Sequence, residues 1–94
     1  MKAMSLEEIK INCTRFAGWS YNEQTEHLEK TFEFKTYYPG LVFLNAVAWQ
    51  AQQLKHHPDL KLSYGKCHVQ MQTHDVGGIS EKDFELIAKI EELV

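Results

Sequence analysis

Between Lys66 and Thr73 the chain alternates without a break, with Cys67, Val69, Met71 and Thr73 on one parity and Lys66, His68, Gln70 and Gln72 on the other. Successive side chains on an extended strand point to opposite faces, so this pattern requires a strand with one covered and one open face. On a helix the same residues would scatter around the axis. A second alternation runs from Glu29 to Lys35, where Leu28, Lys30, Phe32 and Phe34 share one parity and Glu29, Thr31, Glu33 and Lys35 the other. Shorter strands are expected at Trp19 to Tyr21, returning across the polar Asn22 to Glu26 stretch, and at Leu62 to Tyr64. No two-residue turn signal sets the register of the first hairpin.

Half-covered strands need a second layer, and three segments with helical spacing supply it. Ser5 to Phe16 places Leu6, Ile9, Cys13 and Phe16 on one stripe, with Ser5, Glu7 and Glu8 suited to a helix start. From Pro39, which fits a first turn, Leu41, Leu44, Ala48 and Ala51 form a stripe that Phe43, Val47 and Leu54 widen. This helix must stop near His56 or His57, because Pro58 has no amide hydrogen and disfavours helical geometry in the residue before it. Ser80 and Asp83 make a cap for a closing helix carrying Phe84, Leu86, Ile87, Ile90 and Leu93. The expected fold is α+β, in the order helix, hairpin, helix, strands, helix. Its 94 residues, 44% of them hydrophobic, suit one core and a single domain spanning residues 1–94.

Charge and composition narrow the function. Ten basic and 13 acidic side chains are spread along the chain for a net charge of −3, so no basic stripe is available to a phosphate backbone and no direct nucleic-acid ligand is expected. No apolar run approaches the length that spans a bilayer, and the opening residues lack a secretory pattern, so the expectation is a cytoplasmic protein without a membrane partner. Cys13 and Cys67 match no paired-cysteine spacing and read as buried or idle thiols.

The five histidines are more informative. His56 and His57 stand at the end of one helix, and His74 stands where a strand gives way to Asp75-Val76-Gly77-Gly78, a turn with two glycines able to take positive φ. Imidazoles exchange protons near neutral pH, so several around one ligand can assist departure of a leaving group at one atom and proton removal at another. Adjacent side chains in an extended pre-proline segment diverge, so His56 and His57 are expected to do different jobs, one of them holding the other by a hydrogen bond being an alternative. Two further readings stand beside this one: a helix-terminal histidine also serves the last carbonyls of its helix, and three histidines can bind zinc. Against zinc, no pair lies four apart on a helix and no cysteine pair assists, while Asp59, Asp75 and Asp83 are accounted for by turns or caps. No metal and no cofactor are therefore expected. His27 and His68 read as structural or solvated.

The run from Phe32 to Ile90 resembles the pterin-4a-carbinolamine dehydratase family, also described as dimerisation cofactors of a homeodomain transcription factor. The resemblance rests on FEF at Phe32 to Phe34, GLVFLNAVA at Gly40 to Ala48, HHPDL at His56 to Leu60, Tyr64, KCHVQMQTHDVGG at Lys66 to Gly78 and SEKD at Ser80 to Asp83, with Gly18-Trp19 in agreement. It implies a four-stranded antiparallel sheet with helices packed on one face, assembling into a homodimer or homotetramer. It also implies a pterin substrate surrounded by His56, His57 and His74 as the catalytic set, with the backbone at Lys55 to His57 and at Gln72, Thr73, His74 and Asp75 holding the pterin's polar edge. Asp83 corresponds to an acid near the site. Four residues before the first histidine of the pair the family commonly carries an ionisable residue, and here Gln52 stands there. A neutral amide can hydrogen-bond an imidazole without stabilising its cation as a carboxylate would, so rate and pH optimum are more exposed to this departure than the reaction. The implied activity is dehydration of a 4a-hydroxytetrahydropterin. The alternative is a non-catalytic binding or assembly module on the same fold, of the coactivator or assembly-factor kind.

Overall fold

The computed structural model describes every residue from Met1 to Val94. Its elements are α1 (Leu6–Cys13), β1 (Ser20–Asn22), β2 (His27–Glu33), α2 (Tyr37–Leu54), β3 (Asp59–Ser63), β4 (Lys66–Met71), a single 3-10 turn (His74–Val76) and α3 (Glu81–Glu91). The strands form one antiparallel sheet in the order β1-β2-β4-β3. β4, the most strictly alternating segment, is central, where it pairs on both sides.

Register follows the hydrophobic pattern. Leu28 faces Met71 and Phe32 faces Cys67 across the β2–β4 pair, while Leu60 faces Val69 and Leu62 faces Cys67 across β3–β4, so the apolar parities of three strands meet on one face. A one-residue slip would move that whole set to the opposite face, which carries Glu29, Thr31, Lys61, His68 and Gln70. α2 packs on β3, β4 and α3, and the buried side chains Phe43, Val47, Ala51, Phe84, Leu86, Ile87 and Ile90 join the strands' apolar residues in one core. Each fully buried Leu, Ile or Val side chain there contributes about 1.5–3 kcal/mol of burial free energy. Lys30 lies on the covered parity yet is accommodated. Its ammonium reaches the rim, bonding to Glu91 at 2.9 Å and the Ala17 carbonyl at 2.9 Å, and its approach to the Phe32 ring is 4.6 Å.

Several sequence expectations shift in detail. The buried stripe of α2 is Gly40, Phe43, Val47 and Ala51, with Leu41 and Leu44 at its margin and Ala48 exposed. The stripe is centred on Gly40 because the helix comes close to the sheet there: a Cβ would lie 3.2 Å from Leu62 Cδ1 and 3.4 Å from Phe34 Cδ2. α1 begins as expected, with a reciprocal cap between Ser5 and Glu8, but ends at Cys13, and Leu6 stays 40% exposed. Leu93 lies beyond α3 and is also partly exposed, since the helix ends at Glu91. β3 starts at Asp59, well before Leu62, because the central strand offers it a full-length partner. Of the two turn glycines only Gly77 takes positive φ, at +65°.

Candidate active site

The site is built where α2, β4 and α3 end or begin. α2 closes at Leu54, and Lys55 adopts left-handed backbone (φ +54°), its amide bonding to the Gln52 carbonyl at 3.3 Å while that of His56 bonds to Ala51 at 3.0 Å. This pair of bonds satisfies the Ala51 and Gln52 carbonyls from the main chain, without a histidine side chain. Pro58 then directs the chain into β3, leaving His56 and His57 in the corner between the two elements. β4 ends at Met71, and Thr73 pairs with Gly78 around the short turn that holds His74.

These segments enclose a cavity of about 280 Å³. Lys55, His56, His57, Gln72, Thr73, His74 and Asp75 are seven of the nine residues on its wall, and Met1 and Lys82 are the other two. Every residue that the resemblance implied for pterin contact is thus on one surface, although the two stretches are separated by β3 and β4. Met1 is the single apolar side chain there.

A fully buried carboxylate anchors this corner. Asp83 Oδ1 accepts from His56 Nε2 at 2.6 Å, and Oδ2 accepts from the Thr73 hydroxyl at 2.7 Å and the Ser80 amide at 2.9 Å. Because the Thr73 proton goes to Asp83, the Ser80 hydroxyl donates to Thr73 Oγ1, 2.7 Å away. Asp83 is therefore both a helix cap and the partner of His56, and one residue fills two roles that the sequence presents as alternatives. A carboxylate can only accept here, so Nε2 of His56 carries hydrogen and Nδ1 is the ring nitrogen left for another partner.

His57 is held differently. Its Nε2 donates to Gln52 Oε1 at 3.3 Å, so the pair of histidines do not hold each other; each has its own partner. Gln52 and Asp83 are not on the cavity wall, but each hydrogen-bonds to a histidine that is. The His74 ring makes no hydrogen bond within the chain and is exposed, leaving both nitrogens for a ligand. His27 bonds to the Thr25 carbonyl at 2.7 Å and His68 to Thr31 at 2.8 Å, both away from the cavity. No three His, Cys, Asp or Glu side chains converge to hold a metal ion. Burial pushes both thiols, Cys13 and Cys67, above their ordinary range.

A family model for pterin 4 alpha carbinolamine dehydratase matches residues 2–93. The chain belongs to the pterin-4a-carbinolamine dehydratase family. Among its relatives is a protein of Nitrosospira multiformis, 44% identical over 93 residues, which span 99% of this chain and 80% of the relative. Another, from Hydrogenovibrio crunogenus, is 38% identical over 93 residues, 99% of this chain and 82% of the relative. Both carry the provisional name pterin-4-alpha-carbinolamine dehydratase. The crystal structure of a transcriptional coactivator/pterin dehydratase from Brucella melitensis superposes with a TM-score of 0.92 over 98% of each chain at 24% identity, which shows the shared fold. No helix of the chain is long and apolar enough to cross a membrane.

Met1 and Lys82 are the two wall residues that sequence reasoning missed, and of these Lys82 carried a sequence signal. Its signal was its place beside Asp83 in the SEKD run, but only the packing of α3 against the end of α2 brings that helix start to the cavity.

Proposed function

We propose that the chain dehydrates a 4a-hydroxytetrahydropterin to the quinonoid dihydropterin by metal-free histidine acid/base chemistry. The observation that carries this is the convergence of His56, His57 and His74 on one cavity whose remaining wall is almost entirely polar. In the reaction the C4a–O bond breaks, the hydroxyl leaves as water with a donated proton, and the N5 proton is removed as its electron pair forms the C4a–N5 double bond. His74, or His56 as an imidazolium that also carries hydrogen on Nδ1 while Nε2–H stays on Asp83, protonates the hydroxyl, and His57 assists removal of the N5 proton or positions the ring. Backbone groups at Lys55 to His57 and Gln72 to Asp75 orient the pterin edge. The bond from Asp83 supports a fixed ring orientation for His56, which keeps its proton-transfer nitrogen in place without reorganisation. Membership of a dehydratase family supports a hydro-lyase.

The deciding assay follows the ultraviolet signal of a freshly generated 4a-hydroxytetrahydropterin. The purified protein is expected to accelerate its decay in the presence of chelator. Activity that vanishes with chelator and returns with zinc would exclude the metal-free mechanism.

A second property is favoured by one specific observation. Tyr38, Val42 and Trp49 lie along one face of α2 and are 70%, 50% and 63% exposed. An aromatic and aliphatic stripe on a long helix is a self-association surface, and it supports a homodimer or homotetramer. The same surface is where a coactivator-like or assembly-factor-like function would reside.

A further inference from the structure

Two lysines of the cavity wall, Lys55 and Lys82, have side chains that the dehydration does not use. Lys55 immediately precedes His56 and Lys82 immediately precedes Asp83, and the 2.6 Å hydrogen bond between His56 and Asp83 clamps these two segments together. Neither lysine joins an ion pair; the pairs of the chain are Lys30–Glu91, His56–Asp83 and His68–Glu29. A chain of net charge −3 thus presents two unpaired lysines to the cavity, against one wall carboxylate, Asp75. The local field opposes the overall charge, as in a cleft that gathers an anion.

Lys55 is also held at a cost. Its φ of +54° is the left-handed conformation that glycine adopts freely and that a side chain strains. A lysine at a helix end where glycine would be easier points to work for its side chain.

A pterin ring with a neutral side chain gives two cations nothing to neutralise, and the three histidines already account for the proton transfers. Resting on the dehydratase reading, we propose that Lys55 and Lys82 recognise an anionic group, phosphate or carboxylate, at the end of the side chain on ring carbon 6. The substrate class is then the acid-tailed 4a-hydroxytetrahydropterins. Ammonium groups donate to such oxygens from several directions, so two of them tolerate a flexible tail. Asp75 repels the tail from the turn that carries it, which leaves the ends of α2 and α3 as its seat.

The test compares three 4a-hydroxytetrahydropterins, one with a neutral trihydroxypropyl side chain, one with the same chain ending in phosphate, and one with a chain ending in carboxylate. The parent protein is expected to favour an anionic substrate by about tenfold in kcat/KM, chiefly through KM, the scale of two partly exposed charge contacts. Which of the two anions is preferred identifies the tail. The preference is expected to fall as salt is raised and to collapse to within about twofold in the Lys55→Gly, Lys82→Gln double variant. Glycine relieves the backbone at position 55, and the ratio between substrates cancels any general loss of turnover. Equal kcat/KM for all three substrates, or a preference that survives the double variant, overturns the proposal. If none is turned over, the dehydratase reading itself fails, and equilibrium binding of a stable oxidised pterin with and without phosphate then decides selectivity. Tighter binding of the phosphate form that is lost in the double variant sustains the assignment, whereas equal or absent binding overturns it.

Discussion

His56, His57 and His74 differ in how they are held, and their substitutions should differ accordingly. His57 and His74 are exposed on the cavity, so replacing either with alanine leaves no core void. We expect each of His56→Ala and His74→Ala to lower turnover by about a hundredfold if the residue transfers a proton, with the double variant well short of the product of the singles. His27→Ala and His68→Ala should stay near the parent, because their partners lie away from the cavity. Full turnover in folded His56→Ala and His74→Ala proteins would reject the acid/base assignment. Asp83 is the residue on which fold and chemistry meet. Asp83→Ala leaves the His56, Thr73 and Ser80 donors without their acceptor and should cost about 3 kcal/mol in urea unfolding. Asp83→Asn keeps one accepting oxygen but presents an NH2 group to one side of the cluster, which opposes the Nε2–H form of His56. Its loss should therefore appear more in kcat than in stability, measured by turnover alongside urea titration.

At the scale of elements, the helix ends determine where functional groups stand. α3 is capped by Ser80 and Asp83, and α1 by Ser5 and Glu8, but only the first cap faces a histidine. The Glu8 cap gives a pH prediction with a definite sign. The backbone amide of Ser5 bonds to Glu8 Oε1 at 2.8 Å and, with the Ser5 side chain and the more distant Lys2, holds the Glu8 carboxyl below its usual 4.5. A depressed folded-state value means that the contribution is present above the unfolded value and disappears as pH falls through the folded one. The first turn of α1 should accordingly fray as pH falls below the usual glutamate range and through the lowered Glu8 value, seen in the carbon chemical shifts of residues 5–9. In Glu8→Gln that acid-dependent step should be absent; its persistence would assign the fraying to another carboxylate. α1 bears on the site only indirectly, through the segment before it, where the Met4 amide bonds to the Ile79 carbonyl at 2.7 Å.

At the scale of the whole molecule, the sheet is covered on one face and the long α2 helix is covered on one side, so apolar area is left outside the core. Tyr38, Val42 and Trp49 are the largest part of it on that helix. Sedimentation at micromolar concentration should show a species of two or four chains in place of the 11.0 kDa monomer, and Trp49→Asp should shift it toward the monomer. A monomeric parent protein would leave the stripe without a self-association role. Helix content should be unchanged in the variant, since Trp49 makes no part of the buried core.

The alternation at Lys66 to Thr73 and at Leu28 to Phe34 was legible because a half-covered strand admits only one assignment of faces, and the register in the folded chain follows it. The stop before Pro58 and the Ser80–Asp83 cap were equally legible, being rules of local backbone chemistry. The histidines could be named from their positions at element ends and from the family resemblance, and the folded chain brings the three to one cavity wall. Tertiary structure alone decided the rest. The buried stripe of α2 is rotated toward Gly40 because Phe34 and Leu62 approach the helix there, which periodicity within one segment cannot report. The partners of the imidazoles were also hidden, since Asp83 is 27 residues from His56 and joins it only through the packing of α3 beside α2. Lys82 comes to the cavity by that same packing. Local rules act over a few neighbouring residues and so mark the ends of elements, whereas the choice of which ends meet depends on how the whole apolar surface is buried.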